Sequence, residues 1–193
     1  MPLTKINNRS LSGQVTNSQI PALETSKLPS GSVIQANSMI LEPGVDFTGD
    51  HSSTSTSYTN LTGGVSPNRV MQVSLNNVQS TSVLMFQYQV GLAYNSNGST
   101  DTWVMYNLWE TNAQKYVMNT TDYAGSNDPY IAGVWSSTRH SGSWGFNHTT
   151  KAGQFSGNCT WQLRFKTDGT AAWWYHWHSN RIPHSLSVLE IKA

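Results

Sequence analysis

Residues 159–168 read CTWQLRFKTD, and this stretch decides the fold class of the chain. Its apolar side chains are Trp161, Leu163 and Phe165. The polar side chains that alternate with them are Gln162, Arg164 and Lys166. Successive side chains of a β-strand point to opposite faces of the sheet, so this alternation predicts a strand with one buried and one exposed face.

Two further stretches, 81–94 and 101–110, have the same character, and the Asn-Ser-Asn-Gly sequence at 95–98 lies between them. An Asn-Gly turn commonly joins two antiparallel strands, so these stretches are predicted to form one long hairpin. The Asp168-Gly169 pair predicts another turn, after which 171–178 would pair back on 159–168.

The rest of the chain after residue 31 consists of short apolar runs separated by turn residues. The runs lie at 33–41, 70–75, 134–135, 144–148 and 186–191, and a Ser/Thr tract at 51–58 is typical of an exposed edge strand. About nine short strands without helical periodicity are typical of a sandwich or jelly roll. The sequence therefore predicts an all-β fold in which 32–193 form an antiparallel β-sandwich or jelly-roll-like head.

The composition restricts the function classes. Charged residues make up 11% of the 193 residues and the net charge is +1, so no basic stripe indicates nucleic-acid binding. No apolar run is long enough to span a membrane, and the first residues lack the apolar core of a signal peptide. The single cysteine, Cys159, excludes an intrachain disulfide, and its surroundings favour a buried, inert thiol.

Residues 1–31 differ from the head because their apolar side chains are few and far apart. Two prolines, Pro21 and Pro29, interrupt any long helix. After residue 10 the large apolar residues of this segment are Leu11, Val15, Ile20, Leu23 and Leu28. One chain cannot offset the entropy of ordering such a segment, so it is either disordered or ordered against copies of itself. In the second case these residues are the oligomerisation and anchoring positions.

The run VTNSQIPALETSKLPSG at 15–31 resembles the linking segments of bacteriophage tail fibres and related virion fibres. The matching residues are Val15, Thr16, Ile20, Pro21, Leu23, Glu24, Ser26, Lys27, Leu28, Ser30 and Gly31. The sequences LPSGSVIQ at 28–35 and LSVLEIKA at 186–193 are similar to those of small fibre heads of marine phages. The resemblance covers the first 35 or so residues well, and the head only in style.

The resemblance implies a non-enzymatic virion protein: a homotrimeric fibre or spike, as a tail fibre or a capsid decoration. Residues 1–31 would attach it to other virion proteins, and the head would bind a host surface glycan or protein. The chain would be made in the host cytoplasm and reside in the virion, without nucleic-acid binding or membrane insertion. Two alternatives remain open, a carbohydrate-binding module and a tailspike-like glycosidase.

The longest Gly- and Ser-rich region carries the candidate receptor-binding side chains. Loops on a rigid β scaffold commonly carry recognition, and Trp, Tyr and Arg are enriched where binding energy concentrates. The candidates are Tyr123, Asn127, Asp128, Tyr130, Trp135, Arg139 and Trp144. Simple loop packing is the alternative explanation for these residues.

The sequence His176-Trp177-His178 places two imidazoles on one face of a predicted strand. A threefold axis would bring six of them together, enough for an octahedral transition-metal site. The resemblance points the same way, because some phage fibres carry His-x-His pairs that bind an axial metal. Two surface histidines are the alternative, and the sequence indicates no other cofactor. The neighbouring rings at 173–177 would fill a core or an interface, or form a platform for sugars.

A glycosidase would need two carboxyl groups that flank the scissile bond. Glu110 and Asp128 are candidates for such a pair, but nothing in their spacing indicates that they meet.

Overall fold

A computed structural model describes residues 27–42, 51–53, 55–60, 69–91, 93–95, 102–118, 132–136, 143–167, 172–174 and 183–193. Within these residues there is no α-helix, and hence no helix that could cross a membrane. The described strands are β1 (Val33–Leu41), β2 (His51–Ser53), β3 (Thr59–Asn60), β4 (Gln72–Val78), β5 (Val83–Gly91), β6 (Ala93–Asn95), β7 (Thr102–Glu110), β8 (Lys115–Tyr116), β9 (Ala132–Ser136), β10 (Ser143–Thr149), β11 (Gly157–Thr167), β12 (Ala172–Trp174) and β13 (His184–Ile191).

Two antiparallel sheets form the body of the fold. The four-stranded sheet has the order β1-β13-β5-β10. In the six-stranded sheet β11 lies at the centre, between β7 on one side and β3 and β4 on the other, and β8 and β9 extend it beyond β7. A smaller sheet has the order β2-β12-β6. The predicted all-β, sandwich-like fold is therefore confirmed.

The core lies between the two larger sheets, and Trp161 of β11 is its largest fully buried side chain. The indole meets Phe86 of β5 edge-on at 5.2 Å between ring centroids and Phe155 at 5.8 Å. Along β11 the burial alternates as the sequence predicts, with Leu163 and Phe165 also buried. Burying these apolar faces against each other is the main force that holds the sheets together.

The predicted hairpin between 81–94 and 101–110 is wrong. β5 pairs with β10 and β13 in one sheet, whereas β7 pairs with β11, β8 and β9 in the other. The two strands instead face each other through the core, where the rings of Tyr88 and Tyr106 lie 6.5 Å apart. Both strands carry aromatic rings on their buried faces, and packing across the core removes both faces from water.

The predicted return of 171–178 onto 159–168 is also wrong for the described residues. β12 pairs with β2 and β6, not with β11. The reason is that both edges of β11 are occupied near its C-terminal end. Arg164 and Phe165 pair with β3 on one side and with β7 on the other, so no free edge remains there for β12.

One open side of the sandwich is closed by side chains of β1 that reach the backbone of β4. Gln35 Nε2 donates to the carbonyl of Asn76, and Asn37 Nδ2 donates to the carbonyl of Ser74, both at 2.8 Å. Farther along, Met39 Sδ accepts the N–H of Gln72 at 3.3 Å. The exposed edge of a strand can pair with another chain. These contacts occupy backbone groups at the edge of β4 that such pairing would need.

Residues 27–31 are the only part of the N-terminal segment among the described residues, and they contact the C-terminal end of the head. Lys192 Nζ donates to the carbonyl of Leu28, Gly31 N–H donates to the carbonyl of Lys192, and Lys192 N–H donates to the carbonyl of Ser32. The N-terminal segment therefore joins the head where β13 ends. Leu11, Val15, Ile20 and Leu23 lie outside the described residues.

We expect Gly153→Ala to lower the free energy of unfolding by about 2 kcal/mol. Gly153 has φ +70°, and a Cβ there would lie 2.5 Å from the carbonyl oxygen of Ser80. Gly157→Ala is the matched control, because its φ is +80° but nothing lies within 4 Å of the added Cβ. Urea unfolding of both variants measures the difference, and equal losses would contradict the role of the Ser80 contact.

Candidate functional site

Half-buried aromatic and cationic side chains gather on the outer face of the six-stranded sheet. We call them the aromatic–cationic face, which consists of Tyr58, Trp109, Tyr116, Arg164 and Lys166. Tyr116 lies 4.7 Å from Trp109 and 5.0 Å from Tyr58 between ring centroids. Lys166 Nζ lies 5.0 Å from the centroid of the Tyr58 ring. The rings and cations thus form one continuous surface across β7, β8, β11 and the residue that precedes β3.

Arg164 lies at the centre of this face and is fixed from several directions. Its guanidinium carbon lies 4.6 Å from the centroid of the Trp109 ring and 6.0 Å from that of Tyr116. Nε donates to Asn60 Oδ1 at 2.9 Å, and Nη1 donates to the Tyr116 hydroxyl at 3.4 Å. These bonds use two of the five N–H donors of a guanidinium group, and no carboxylate of the described residues contacts it. A planar fork with unused donors is suited to bidentate binding of a carboxylate or sulfate.

The buried carboxylate of Glu110 shapes the turn that returns Tyr116 to Trp109. Glu110 is 1% exposed and points to the opposite side of β7 from Trp109. One carboxylate oxygen accepts the N–H of Ala113 within the turn, and the other accepts the N–H of Thr160 on β11 at 2.8 Å. The turn is thereby tied to the central strand. β8 then pairs with β7 so that Tyr116 lies opposite Trp109.

Asn107 departs from the predicted alternation of β7. The period of two places it on the same face as the half-buried Trp109, yet the Asn107 side chain is fully buried. Residues 117–118 cover it: Nδ2 donates to the carbonyl of Met118 at 2.9 Å, and Oδ1 accepts the N–H of Met118 at 3.3 Å. Asn107 therefore fixes the chain after β8 and supports the aromatic–cationic face from one side.

Of the seven receptor-binding residues predicted from the sequence, Trp135 and Trp144 lie on described strands, and the strand register gives their backbone positions. Trp135 lies opposite Trp103 in the β9–β7 register, and Trp144 lies opposite Val90 in the β10–β5 register. Five candidates lie outside the described residues: Tyr123, Asn127, Asp128, Tyr130 and Arg139. The sequence did place Arg164 and Lys166 on the exposed face of their strand. It gave no indication that β7 and β11 are neighbours, which is what brings Trp109 close to them.

The predicted metal ligands His176 and His178 also lie outside the described residues. Within the part of the chain that the structure describes, no three His, Cys, Asp or Glu side chains are grouped so that they could hold a metal ion. The nearby β12 is described only as backbone, with Trp173 opposite Ser52 on one side and Tyr94 on the other.

Two groups considered for chemistry are enclosed. Both carboxylate oxygens of Glu110 accept backbone N–H groups and the side chain is 1% exposed, so in this arrangement it anchors the turn. Asp128, its predicted partner, lies outside the described residues. Cys159 is 4% exposed, and burial raises the pKa of its thiol to about 11. The predicted burial of this thiol is confirmed, and its raised pKa is consistent with low reactivity.

Comparisons with known proteins do not assign the chain to a family. No family model matches its sequence, and no curated protein matches it either.

Proposed function

We propose that this chain is a virion protein of a bacteriophage: a homotrimeric fibre or spike whose β head binds a receptor on the host surface. The proposal is supported by the resemblance of 15–31 to fibre linking segments and by the composition of that segment, which lacks the apolar area to fold alone. The attachment of this segment at one end of a β-sandwich fits a stalk-and-head arrangement. Whether the protein belongs to the tail or the capsid is left open by the proposal.

The receptor we propose is a glycan that carries acidic groups, and the observation behind it is the arrangement around Arg164. Aromatic rings offer flat apolar surfaces for the C–H faces of sugars, while Asn60 and Gln162 lie nearby to bond hydroxyl groups. The remaining donors of Arg164 would bind a carboxylate or sulfate on the same glycan. Because the face lies on strands and not on loops, its side chains are held before binding, which lowers the entropic cost.

Weak single sites are sufficient for such a fibre. Three heads per trimer and many trimers per particle raise the apparent affinity without tight individual contacts. The first encounter would be reversible, and attachment would become lasting as more heads engage.

We expect Arg164→Ala and Trp109→Ala each to weaken binding to acidic polysaccharide by about ten-fold, equivalent to roughly 1.4 kcal/mol. Affinity electrophoresis through gels containing polygalacturonate, dextran sulfate or uncharged dextran measures this. The matched control is Asn147→Ala, an exposed polar side chain on the outer face of the other sheet. If the acidic gels retarded the wild type and Arg164→Ala equally, the proposed site would be contradicted. If neither acidic gel retarded the wild type, the proposal of an acidic-glycan receptor would be contradicted.

A monomeric carbohydrate-binding module is the second candidate, since the same face suits it equally well. The two functions differ in the mass of the full chain in solution. A mass of one chain at all concentrations, together with sugar binding, would favour the module over the fibre.

A further inference from the structure

The outer face of the four-stranded sheet is apolar at one end and polar at the other. Residues that lie opposite one another in the strand register form rows across the sheet. The two rows at one end, which we call the apolar rows, consist of Val33, Ile191 and Val83, then Ala36, Leu189, Met85 and Thr149. The next two rows, the polar rows, consist of Ser38, Ser187, Gln87 and Asn147, then Ile40, Ser185, Gln89 and Gly145.

The apolar rows are accessible to water in the single chain. Val33 is 51% exposed, Ala36 is exposed, and the remaining aliphatic and Met side chains of both rows are partly exposed. None of the residues in the four rows carries a charge. The outer face of an antiparallel sheet is ordinarily polar, and clustered apolar side chains there indicate a surface that another molecule covers. In the polar rows the one large apolar side chain, Ile40, stands alone, which is normal for a protein surface.

The N-terminal segment enters the head beside these same rows. Lys192, which directly follows Ile191, bonds to Leu28, Gly31 and Ser32. Leu28 is also the last apolar residue of that segment, and it precedes Val33 by five residues. An extended chain spans at most about 3.5 Å per residue, so Leu28 lies within roughly 18 Å of the first apolar row. Any assembly built by the segment would bring the apolar rows of several copies close to its axis.

From this placement we infer that the apolar rows are the contact surface between heads, with a second copy of this chain as their occupant. The inference rests on the proposed fibre function and extends it, because the segment 1–31 would no longer carry trimerisation alone. The contact would be face against face. Strand addition at β1 is disfavoured, since Gln35 and Asn37 already bridge its open side to β4.

The test compares two double variants of the full chain that differ only in the row they change. Met85→Glu with Leu189→Glu places charges in an apolar row, and Gln87→Glu with Ser187→Glu places the same charges in the adjacent polar row of the same two strands. We expect the first to raise the concentration of half-dissociation of the trimer at least about ten-fold, because desolvating a charge at an interface is unfavourable. The concentration of half-dissociation of the control variant should stay close to that of the wild type. Light scattering over a dilution series measures this concentration for each protein.

The outcomes separate the inference from the function on which it rests. A trimeric wild type whose two variants dissociate alike would overturn the head contact and leave the fibre proposal intact. A wild type that is monomeric at every concentration would overturn the fibre proposal itself.

A second measurement serves if the charged variant fails to fold. Ile191→Cys and Ser185→Cys place thiols on the outer face of β13 in the first apolar row and the last polar row. A short bismaleimide should link copies of Ile191→Cys and not of Ser185→Cys, whereas Cys159, which is buried, should stay unmodified in both. Equal linking of the two variants would contradict the inference.

Discussion

Trp161→Ala is expected to lower the free energy of unfolding by about 4 kcal/mol, a large share of the 5–15 kcal/mol that holds a typical domain folded. The indole is fully buried and contacts Phe86 of the other sheet and Phe155. Its removal leaves a cavity at the junction of both sheets, and the surrounding rings cannot collapse to fill it. Thermal unfolding followed by circular dichroism should show a melting temperature lower by roughly 8–16 °C.

Trp161→Phe and Trp109→Ala are the controls for this prediction. The Trp161 indole N–H has no hydrogen-bond partner among the described residues, so Trp161→Phe removes side-chain volume but no hydrogen bond. It should lower the free energy of unfolding by about half as much as Trp161→Ala does. Trp109 lies opposite Gln162 of β11, the position next to Trp161, but its side chain is on the outer face of the sheet. Its removal should therefore weaken sugar binding more than it lowers stability. A Trp161→Ala protein as stable as Trp109→Ala would contradict the assignment of the core.

Glu110→Ala should destabilise the fold by a similar amount, about 4 kcal/mol, because a fully buried side chain is removed and two partly buried N–H donors would lose their acceptor. These donors are the backbone groups of Ala113 and Thr160. Glu110→Gln keeps the shape but turns one acceptor into a donor, so it should cost about 2 kcal/mol. Because the turn also positions Tyr116, the alanine variant should reduce binding to acidic polysaccharide even below its melting temperature.

Urea unfolding and affinity electrophoresis together check this prediction, with Glu42→Gln as the control at an exposed glutamate. The control should change the free energy of unfolding by less than about 0.5 kcal/mol. If Glu110→Gln matched Glu42→Gln, the carboxylate would not be the anchor of the turn.

The sequence predicted strand faces well and strand partners poorly. The alternation in β11 correctly separates Trp161, Leu163 and Phe165 from Arg164 and Lys166, because a period of two follows directly from backbone geometry. Pairing depends on contacts between distant residues. The Asn-Gly at 97–98 suggested a local hairpin, yet β5 and β7 belong to different sheets.

Strand ends and the composition of the candidate site were also predicted poorly from local sequence patterns. The apolar run predicted at 70–75 ends before Asn76, whereas β4 continues to Val78 with Asn77 at φ 54°. The Ser/Thr tract at 51–58 was predicted to be one strand, and of its described residues, 51–53 and 55–58, only His51–Ser53 are strand. The aromatic–cationic face depends on the proximity of Asn60, Trp109 and Arg164, which are far apart in sequence. No local pattern could have indicated that they meet.

The central proposal is that the chain is a virion protein whose head faces the host. Its most direct test is electron microscopy of phage particles purified from a culture in which the chain is produced, labelled with antibody fragments against the head. We predict label at regular projecting positions on the tail or capsid, in groups that match trimers. Purified infectious particles that carry no label, while the chain is found only in the soluble lysate, would contradict the account.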